Sequence, residues 1–297
     1  VLNKDGYTGD TRASGIGTIC HEFSHCLGFP DTYDTNGQKQ YGMGYYDLLS
    51  NGNYLGEGFT PPNFTAWERI YAGWVEPIVL DKAATIKSMQ SSTDYGRPFI
   101  MYNDNNPDEY YLFENRQNTG WDCKLFGKGL MITHVDYLKS RWTSNNVNAT
   151  GKDHQRMTIF HADNEATNNV VSKIRGDLYP YVNTKTGSVI NNKLTDTSAP
   201  AAMLWNSNDS KKGTSFMGKP ITEITRNDDG TVSFLVKGGD DNNIVDNRNL
   251  TGIVSLRTID NKTADSRVFS IDGTLLGTDI NDMPHGLYIV GGRKVVK

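Results

Sequence analysis

The stretch that most constrains this chain is His21-Glu22-Phe23-Ser24-His25, close to its beginning. Residues four apart in a helix lie on one face, one turn apart, so His21 and His25 can bind the same metal ion. Imidazole nitrogens bind Zn²⁺ at about 2.0–2.1 Å, and a catalytic zinc has a third protein ligand and one open position. Glu22 lies beside the pair and is placed to act as general base towards a water molecule. The pattern therefore predicts a zinc site on a helix.

The residues after this helix predict the third ligand. Gly28 can end the helix because glycine enters left-handed conformations freely, and Pro30 does not continue a helix interior. The chain then turns back and presents Asp31, a carboxylate ligand. A chance match on an ordinary surface helix is the alternative, and the glycine and aspartate at fixed offsets weigh against it.

A resemblance to a known family begins at these residues. His21 to Asp31 is similar to the extended zinc signature of the metzincin metalloproteases, in the version whose third ligand is aspartate. The continuation resembles the immune inhibitor A family, the M6 peptidases of secreted bacterial proteins, and reads Gly42-Met43-Gly44-Tyr45-Tyr46-Asp47-Leu48-Leu49-Ser50-Asn51-Gly52. The resemblance extends to about residue 237 and is densest at the zinc motif.

The resemblance implies two further parts of the site. A Met-turn, whose methionine packs beneath the metal, corresponds here to Leu49, and leucine roughly conserves the volume and apolarity of methionine. Tyr46 is a candidate for support of the transition state, although a packing role is the alternative for Tyr46 and its neighbour Tyr45.

The expected activity is hydrolysis of peptide bonds in a protein or peptide substrate, as a secreted or cell-surface zinc endopeptidase. A zinc-activated water would attack the scissile carbonyl while Glu22 takes its proton. Two other readings remain open. One is a zinc hydrolase acting on a non-peptide bond, and the other is a non-catalytic cell-surface binding protein that retains the zinc site.

Composition restricts the other partners. The net charge of −4 and the absence of a basic run argue against nucleic acid. No stretch reaches the roughly 18 apolar residues of a membrane span. Calcium is a candidate second cofactor, because the loop at 32–64 carries four residues with oxygen ligands, with turn formation as their alternative role: Asp34, Asp47, Asn51 and Asn53. Cys123 could pair with Cys20 or Cys26, or all three thiols are free.

The chain is predicted to be α+β, in three parts. Residues 1–77 form the C-terminal part of a metzincin-like protease domain, including an amphipathic helix that Thr65 and Glu68 cap. Residues 78–238 alternate with a period of two, which predicts an antiparallel β-sandwich. Residues 239–297 read as a linker and a short β module. Metzincins place a sheet and a helix before the zinc helix, so we expect an N-terminal fragment of the same precursor as a partner.

Overall fold

The computed structural model describes residues 15–37, 39–165, 171–208, 215–246, 268–270, 275–284, 287–290 and 293–296. The chain divides into two compact units, Val1–Val254 and Ser255–Lys297. It is a mixed structure with short helices and several sheets, in agreement with the predicted α+β class. The α-helices are α1 Ile16–Cys26, α2 Ala66–Tyr71, α3 Lys139–Thr143 and α4 Val171–Ile174. Single 3₁₀ turns lie at Gly44–Tyr46, Asn51–Tyr54, Ser92–Asp94, Gly120–Lys124 and Ile280–Asp282.

The first unit contains most of the strands. They are β1 Ile78–Val79, β2 Ala84–Met89, β3 Phe99–Asn103, β4 Asn106–Arg116, β5 Gly129–Asp136, β6 Met157–Ile159, β7 Tyr181–Val182, β8 Val189–Asn191, β9 Ile221–Arg226, β10 Val232–Val236 and β11 Ile244–Asp246. One sheet has the order β1-β3-β4-β5-β6 and a second has the order β11-β2-β10-β9, while β7 and β8 form a two-stranded ribbon.

The five-stranded sheet is buried on both of its faces. Side chains of successive strand residues point to opposite faces, and Phe99 and Met101 accordingly lie in a different core cluster from Ile100. The first cluster also contains Ile86, Phe234 and other residues of the second sheet, so the two sheets share one core. Burial on both faces explains why β3 and β5 read as nearly continuous apolar runs rather than as strict alternation.

Both larger sheets depart from the predicted all-antiparallel pairing. β1 pairs with β3 in parallel, and β11 pairs with β2 in parallel, while the other pairs in these sheets are antiparallel. Parallel neighbours need a crossover connection, and β2 with its flanking loops lies between β1 and β3 in the sequence. β11 lies within the segment 239–297 that was expected to start as a linker, and its three residues instead extend the second sheet.

The second core cluster joins the N-terminal part of the chain to the sheet. It combines Ile100, Leu112 and Met131 of the sheet with apolar residues of the first 77 positions, among them Phe29, Met43, Tyr46, Leu48, Leu49 and Trp67. Helix α2 begins at the predicted capping box, in which the Thr65 hydroxyl accepts from the Glu68 amide and the Glu68 carboxylate accepts from the Thr65 amide. The N-terminal layer therefore rests on one face of the five-stranded sheet, where it forms a rigid base for α1.

The second unit is a small antiparallel sheet. Its strands are β12 Val268–Phe269, β13 Leu275–Gly277, β14 Leu287–Val290 and β15 Arg293–Val296, in the order β13-β12-β14-β15. These strands lie where the sequence predicts a short C-terminal β module. Within the described part of the chain, no helix is both long enough and apolar enough to cross a membrane.

Candidate metal centre

Helix α1 carries both motif histidines on one face, one turn apart. Their rings meet edge to face with centroids 5.0 Å apart. His21 is buried, whereas 32% of the His25 side chain is exposed, so the centre opens to solvent on the side of His25. The helix is held from below by a close approach at Gly17, whose amide donates to the Gly58 carbonyl at 2.8 Å and whose missing Cβ leaves room for the Asn53 carbonyl.

The helix ends as the sequence predicts, and the chain turns back at once. Gly28 has a φ of +89°, the left-handed conformation that glycine adopts without a Cβ clash. The Gly28 and Phe29 amides donate to the carbonyls of His25 and Ser24, which closes the last turn. This turn brings Asp31 beneath the two histidines, where 7% of its side chain is exposed.

Three ligand atoms converge at this point. Asp31 Oδ1 lies 3.1 Å from His21 Nε2 and 3.5 Å from His25 Nε2. One ligand atom from each of the three residues lies within 4.8 Å of the others. Elsewhere in the described ranges, no other group of three His, Cys, Asp or Glu side chains meets this criterion. The structure thus brings the predicted ligands together.

Hydrogen bonds at Nδ1 fix the tautomer of both histidine rings. His21 Nδ1 lies 2.8 Å from the Leu48 carbonyl oxygen, and His25 Nδ1 lies 2.8 Å from the Phe29 carbonyl oxygen. Because a carbonyl only accepts, each Nδ1 carries a proton, and in the neutral imidazole each Nε2 presents its lone pair. Histidines that bind metals are commonly held in this way by a carbonyl behind the ring.

Asp31 is held as a carboxylate by a residue far away in the sequence. Asn145 Nδ2 donates to Asp31 Oδ2 at 2.6 Å, and the Asp31 amide donates to Asn145 Oδ1 at 2.6 Å. Burial alone would raise the pKa of Asp31, but its close contact with His21, the hydrogen bond from Asn145 and the influence of His25 lower it below its usual value. The other oxygen, Oδ1, is buried and accepts no well-formed hydrogen bond.

These contacts fit a bound cation. The Oδ1 of Asp31 and the two Nε2 atoms are three electron-pair donors that face one another with no donor group between them. Two imidazoles and one carboxylate form a donor set that zinc accepts. Burial alone would lower the pKa of His21, but the close contact with Asp31, the hydrogen bond to the Leu48 carbonyl and the charge of Glu22 raise it, so the site attracts positive charge.

The Leu48 carbonyl, which lies behind His21, belongs to a tight turn formed by Asp47. Asp47 Oδ1 accepts from the Leu49 amide at 2.7 Å, and Asp47 Oδ2 accepts from the Thr32 hydroxyl at 2.7 Å. The Leu49 carbonyl accepts from the Thr32 amide at 2.9 Å, and the Leu49 side chain is fully buried. The turn therefore joins the Met-turn position to the residue after Asp31, while the role of Leu49 beneath a metal stays a prediction.

Asp34 and Asp47, the two carboxylates among the predicted calcium ligands, both accept hydrogen bonds within the protein. Asp34 accepts from the amides of Asn36, Lys39 and Gln40 and from the Thr150 amide and hydroxyl. Asp47 forms the turn described above. Both carboxylates thus show the turn-forming alternative weighed in the sequence analysis.

Tyr46, the residue that we predicted to support the transition state, lies in the interior of the protein. Tyr46 is fully buried, and its hydroxyl donates to the Ile174 carbonyl at 2.8 Å. Tyr46 therefore supports packing, because its only polar atom is committed in the interior of the protein.

Tyr33 instead lies beside the centre, and sequence reasoning missed it. Its ring is nearly parallel to that of His21, with centroids 6.5 Å apart and planes inclined by 26°. Burial, followed by the charge of Asp31 and a hydrogen bond to it, raises the pKa of Tyr33 to about 12, and the charge of Glu22 contributes. The hydroxyl is therefore neutral and can donate near pH 7. Its position two residues after Asp31 was the only available signal.

Glu22 lies on the exposed surface of α1, next to His21. Its charge raises the pKa of both His21 and Tyr33, so the carboxylate lies within electrostatic range of both residues. The three cysteines are free, and Cys26 and Cys123 are exposed.

Three other histidines of the described part of the chain pair with carboxylates and form no metal cluster there. His134 Nε2 lies 2.7 Å from Glu109, His154 Nε2 lies 2.7 Å from Asp136, and His161 Nδ1 lies 2.8 Å from Asp177.

Comparison with known proteins identifies the region that contains this centre. Residues 2–74 match the model of the immune inhibitor A peptidase M6 catalytic domain. The matched segment includes α1, Asp31, the turn at Asp47 and α2, so the resemblance to M6 peptidases is confirmed over this region. No curated protein and no solved structure matches the chain.

Proposed function

We propose that this chain is a zinc-dependent endopeptidase whose metal is held by His21, His25 and Asp31. The observation that carries the proposal is the convergence of the three ligand atoms within a segment that matches the M6 catalytic domain. The family implies a metallopeptidase that acts on peptide substrates. The donor set, the fixed tautomers and the open side at His25 all support zinc at this position.

Each protein group has a separate task in the proposed reaction. Zinc would supply Lewis acidity towards the scissile carbonyl and would lower the pKa of a water molecule. Glu22 takes a proton from the attacking water and passes it to the leaving amine nitrogen. Asn145 keeps Asp31 ionised and oriented, and the neutral Tyr33 hydroxyl would donate to the oxygen that gains negative charge.

The exposed side of α1 supports the prediction of a polypeptide partner. Ile16, Ile19, Phe23 and Leu27 are 41–64% exposed. At 100° per residue they form one stripe, roughly opposite to His21 and His25. We propose that an N-terminal fragment of the same precursor covers this stripe. Co-purification of that fragment with this chain, and its loss in Phe23→Asp, would support the proposal, whereas no association with the unaltered chain would contradict it.

Two further elements of the proposal rest on the sequence alone. Action outside the cell follows from the resemblance to secreted bacterial M6 peptidases. Calcium, if the protein binds it, would lie away from Asp34 and Asp47, whose oxygens already accept hydrogen bonds. Fractionation of the producing cells and calcium titration of the purified protein test these two points.

The test of the catalytic proposal is the Glu22→Gln variant. Glutamine keeps the size of the side chain but does not take a proton, so hydrolysis of an unfolded protein substrate should fall by at least about a hundredfold. Zinc content should stay at one per chain, because Glu22 is not a ligand. Glu76→Gln is the matched control, since Glu76 is also exposed and lies outside the centre.

Two results would contradict the proposal. Normal hydrolysis by Glu22→Gln would remove the general base from the account. A fully zinc-loaded, folded chain that cleaves no peptide bond, even together with its N-terminal fragment, would favour the non-catalytic binding protein.

A further inference from the structure

A pocket walled by aromatic rings lies beside α2, on the face of the five-stranded sheet that carries the N-terminal layer. Its volume is about 300 Å³. Ile100 and Leu112 of β3 and β4 provide an apolar surface, and the aromatic lining comes from Trp67, Tyr71, Tyr102, Tyr110 and Tyr137. None of the residues predicted to act at the metal centre lines this pocket.

The aromatic rings are held in place by one another. Trp67 and Tyr71 are stacked with centroids 4.9 Å apart and planes inclined by 20°. Tyr102 and Tyr110 meet edge to face, with centroids 5.8 Å apart. A lining fixed in this way needs little reordering when a ligand enters, which favours binding.

The lining of the pocket carries negative charge only. Asp108 is the single charged residue of the lining, and no lysine, arginine or histidine contributes to it. Asp108 is exposed. Within the described residues, its carboxylate forms no hydrogen bond or ion pair, and the Asp108 backbone is fixed because its carbonyl accepts from the Tyr137 amide at 2.8 Å. A fixed backbone thus holds an unpaired negative charge at a pocket lined by aromatic residues.

We propose that this pocket binds the guanidinium group of an arginine side chain on a peptide or protein. The face of an aromatic ring attracts a cation, and the planar guanidinium stacks on such faces better than a compact ammonium does. The methylene stem of the arginine would lie along Ile100 and Leu112, while the head group pairs with Asp108. The complementarity is therefore both apolar and electrostatic.

The pocket lies close to the metal centre without being part of it. Tyr71 lines the pocket and also contacts Phe29, with ring centroids 5.9 Å apart. The Phe29 carbonyl in turn accepts from His25 Nδ1. Binding of the cation at this pocket does not depend on the proposed hydrolysis.

The test compares N-acetyl-arginine amide with N-acetyl-citrulline amide, which has nearly the same shape and no charge. Titration of the full chain is followed by tryptophan fluorescence, because Trp67 lies in the pocket wall. We expect saturable binding of the arginine compound, with a dissociation constant on the order of 1 mM, and at least about fivefold weaker binding of the citrulline compound. The His25→Ala variant should bind the arginine compound equally well, which separates this pocket from the metal centre.

Two matched variants test whether the Asp108 carboxylate contributes to binding. Asp108→Asn should weaken binding of the arginine compound by about fivefold, whereas Asp81→Asn, which removes an exposed charge outside the pocket, should leave it unchanged. Tyr71→Leu should weaken it as well, because one wall of the pocket is lost. Equal binding of both compounds, no effect of Asp108→Asn, or no saturation up to about 50 mM would each overturn the proposal.

Discussion

Replacing Asn145 should weaken metal binding, although this residue lies 114 positions from Asp31 and is not itself a ligand. In the Asn145→Gly variant, Asp31 loses both hydrogen bonds that the amide side chain makes with it. Glycine is the chosen substitution because residue 145 has a φ of +54°, a left-handed conformation that strains alanine but not glycine. The backbone at this position is therefore preserved while the orienting group is removed.

The expected size of the effect follows from the two contacts, each 2.6 Å long. A hydrogen bond to a charged group contributes about 1.5–3 kcal/mol, and the exposure of Asn145 favours the lower end of this range. Since about 1.4 kcal/mol corresponds to a tenfold change, zinc affinity should fall by about 10- to 100-fold. Losses of this size are typical when a partner that orients a metal ligand is removed.

The assay is competition for zinc between the protein and a chromophoric chelator of known affinity. Asn146→Gly is the control, because the neighbouring side chain bonds only to Ser144. It should change the zinc dissociation constant by less than about twofold. A change of less than about threefold in Asn145→Gly would refute the conclusion that Asn145 positions Asp31 for the metal.

Three other predictions concern stability and the tyrosines. Thr65→Ala removes the cap of α2 and should lower the free energy of unfolding in urea by about 1 kcal/mol; no loss would show that the cap is not needed. Burial alone would raise the pKa of Glu109, but the hydrogen bond to His134 and its other donors lower it from 4.5 to about 2. Ionised Glu109 therefore stabilises the fold above about pH 4.5, and about 3 kcal/mol of the free energy of unfolding is lost as the pH falls towards 2. In Glu109→Gln the free energy of unfolding should not fall in this way with pH. An unchanged dependence on pH would contradict the assignment. Tyr33→Phe should lower kcat at least about tenfold while zinc is retained. Tyr46→Phe should lower the free energy of unfolding by about 1 kcal/mol and leave kcat unchanged. Equal kcat values in the two variants would contradict the role of Tyr33.

The parts of the structure that sequence reasoning predicted depend on local spacing. Helix periodicity places His21 and His25 together, and the offset to Gly28 predicts the turn towards Asp31. The capping pair Thr65 and Glu68 marks the start of α2 because both partners lie within one turn. In the β region, the change to a period of two at residue 78 predicted strands, and β1 begins at Ile78.

The parts that were not predicted depend on contacts between distant segments. The Leu48 carbonyl behind His21 and the Asn145 amide behind Asp31 have no signature in the local sequence. Pairing of β11 with β2 joins residues about 160 positions apart, and the sequence of β11, Ile-Val-Asp, is too short to indicate a strand. Tyr46 was proposed because a tyrosine assists catalysis in some metzincins, and the fold buries its hydroxyl against Ile174.

The central claim is that two histidines and one aspartate of this chain hold zinc. X-ray absorption at the zinc K edge of the purified, zinc-loaded chain tests it most directly, because nitrogen and oxygen ligands at about 2.0–2.1 Å are distinguished from sulfur at about 2.3 Å. We expect two imidazole ligands, oxygen ligands and no sulfur, with one zinc per chain that is lost in His25→Ala. Sulfur in the first shell, which would implicate Cys20 or Cys26, or a failure of the folded chain to bind zinc, would contradict it.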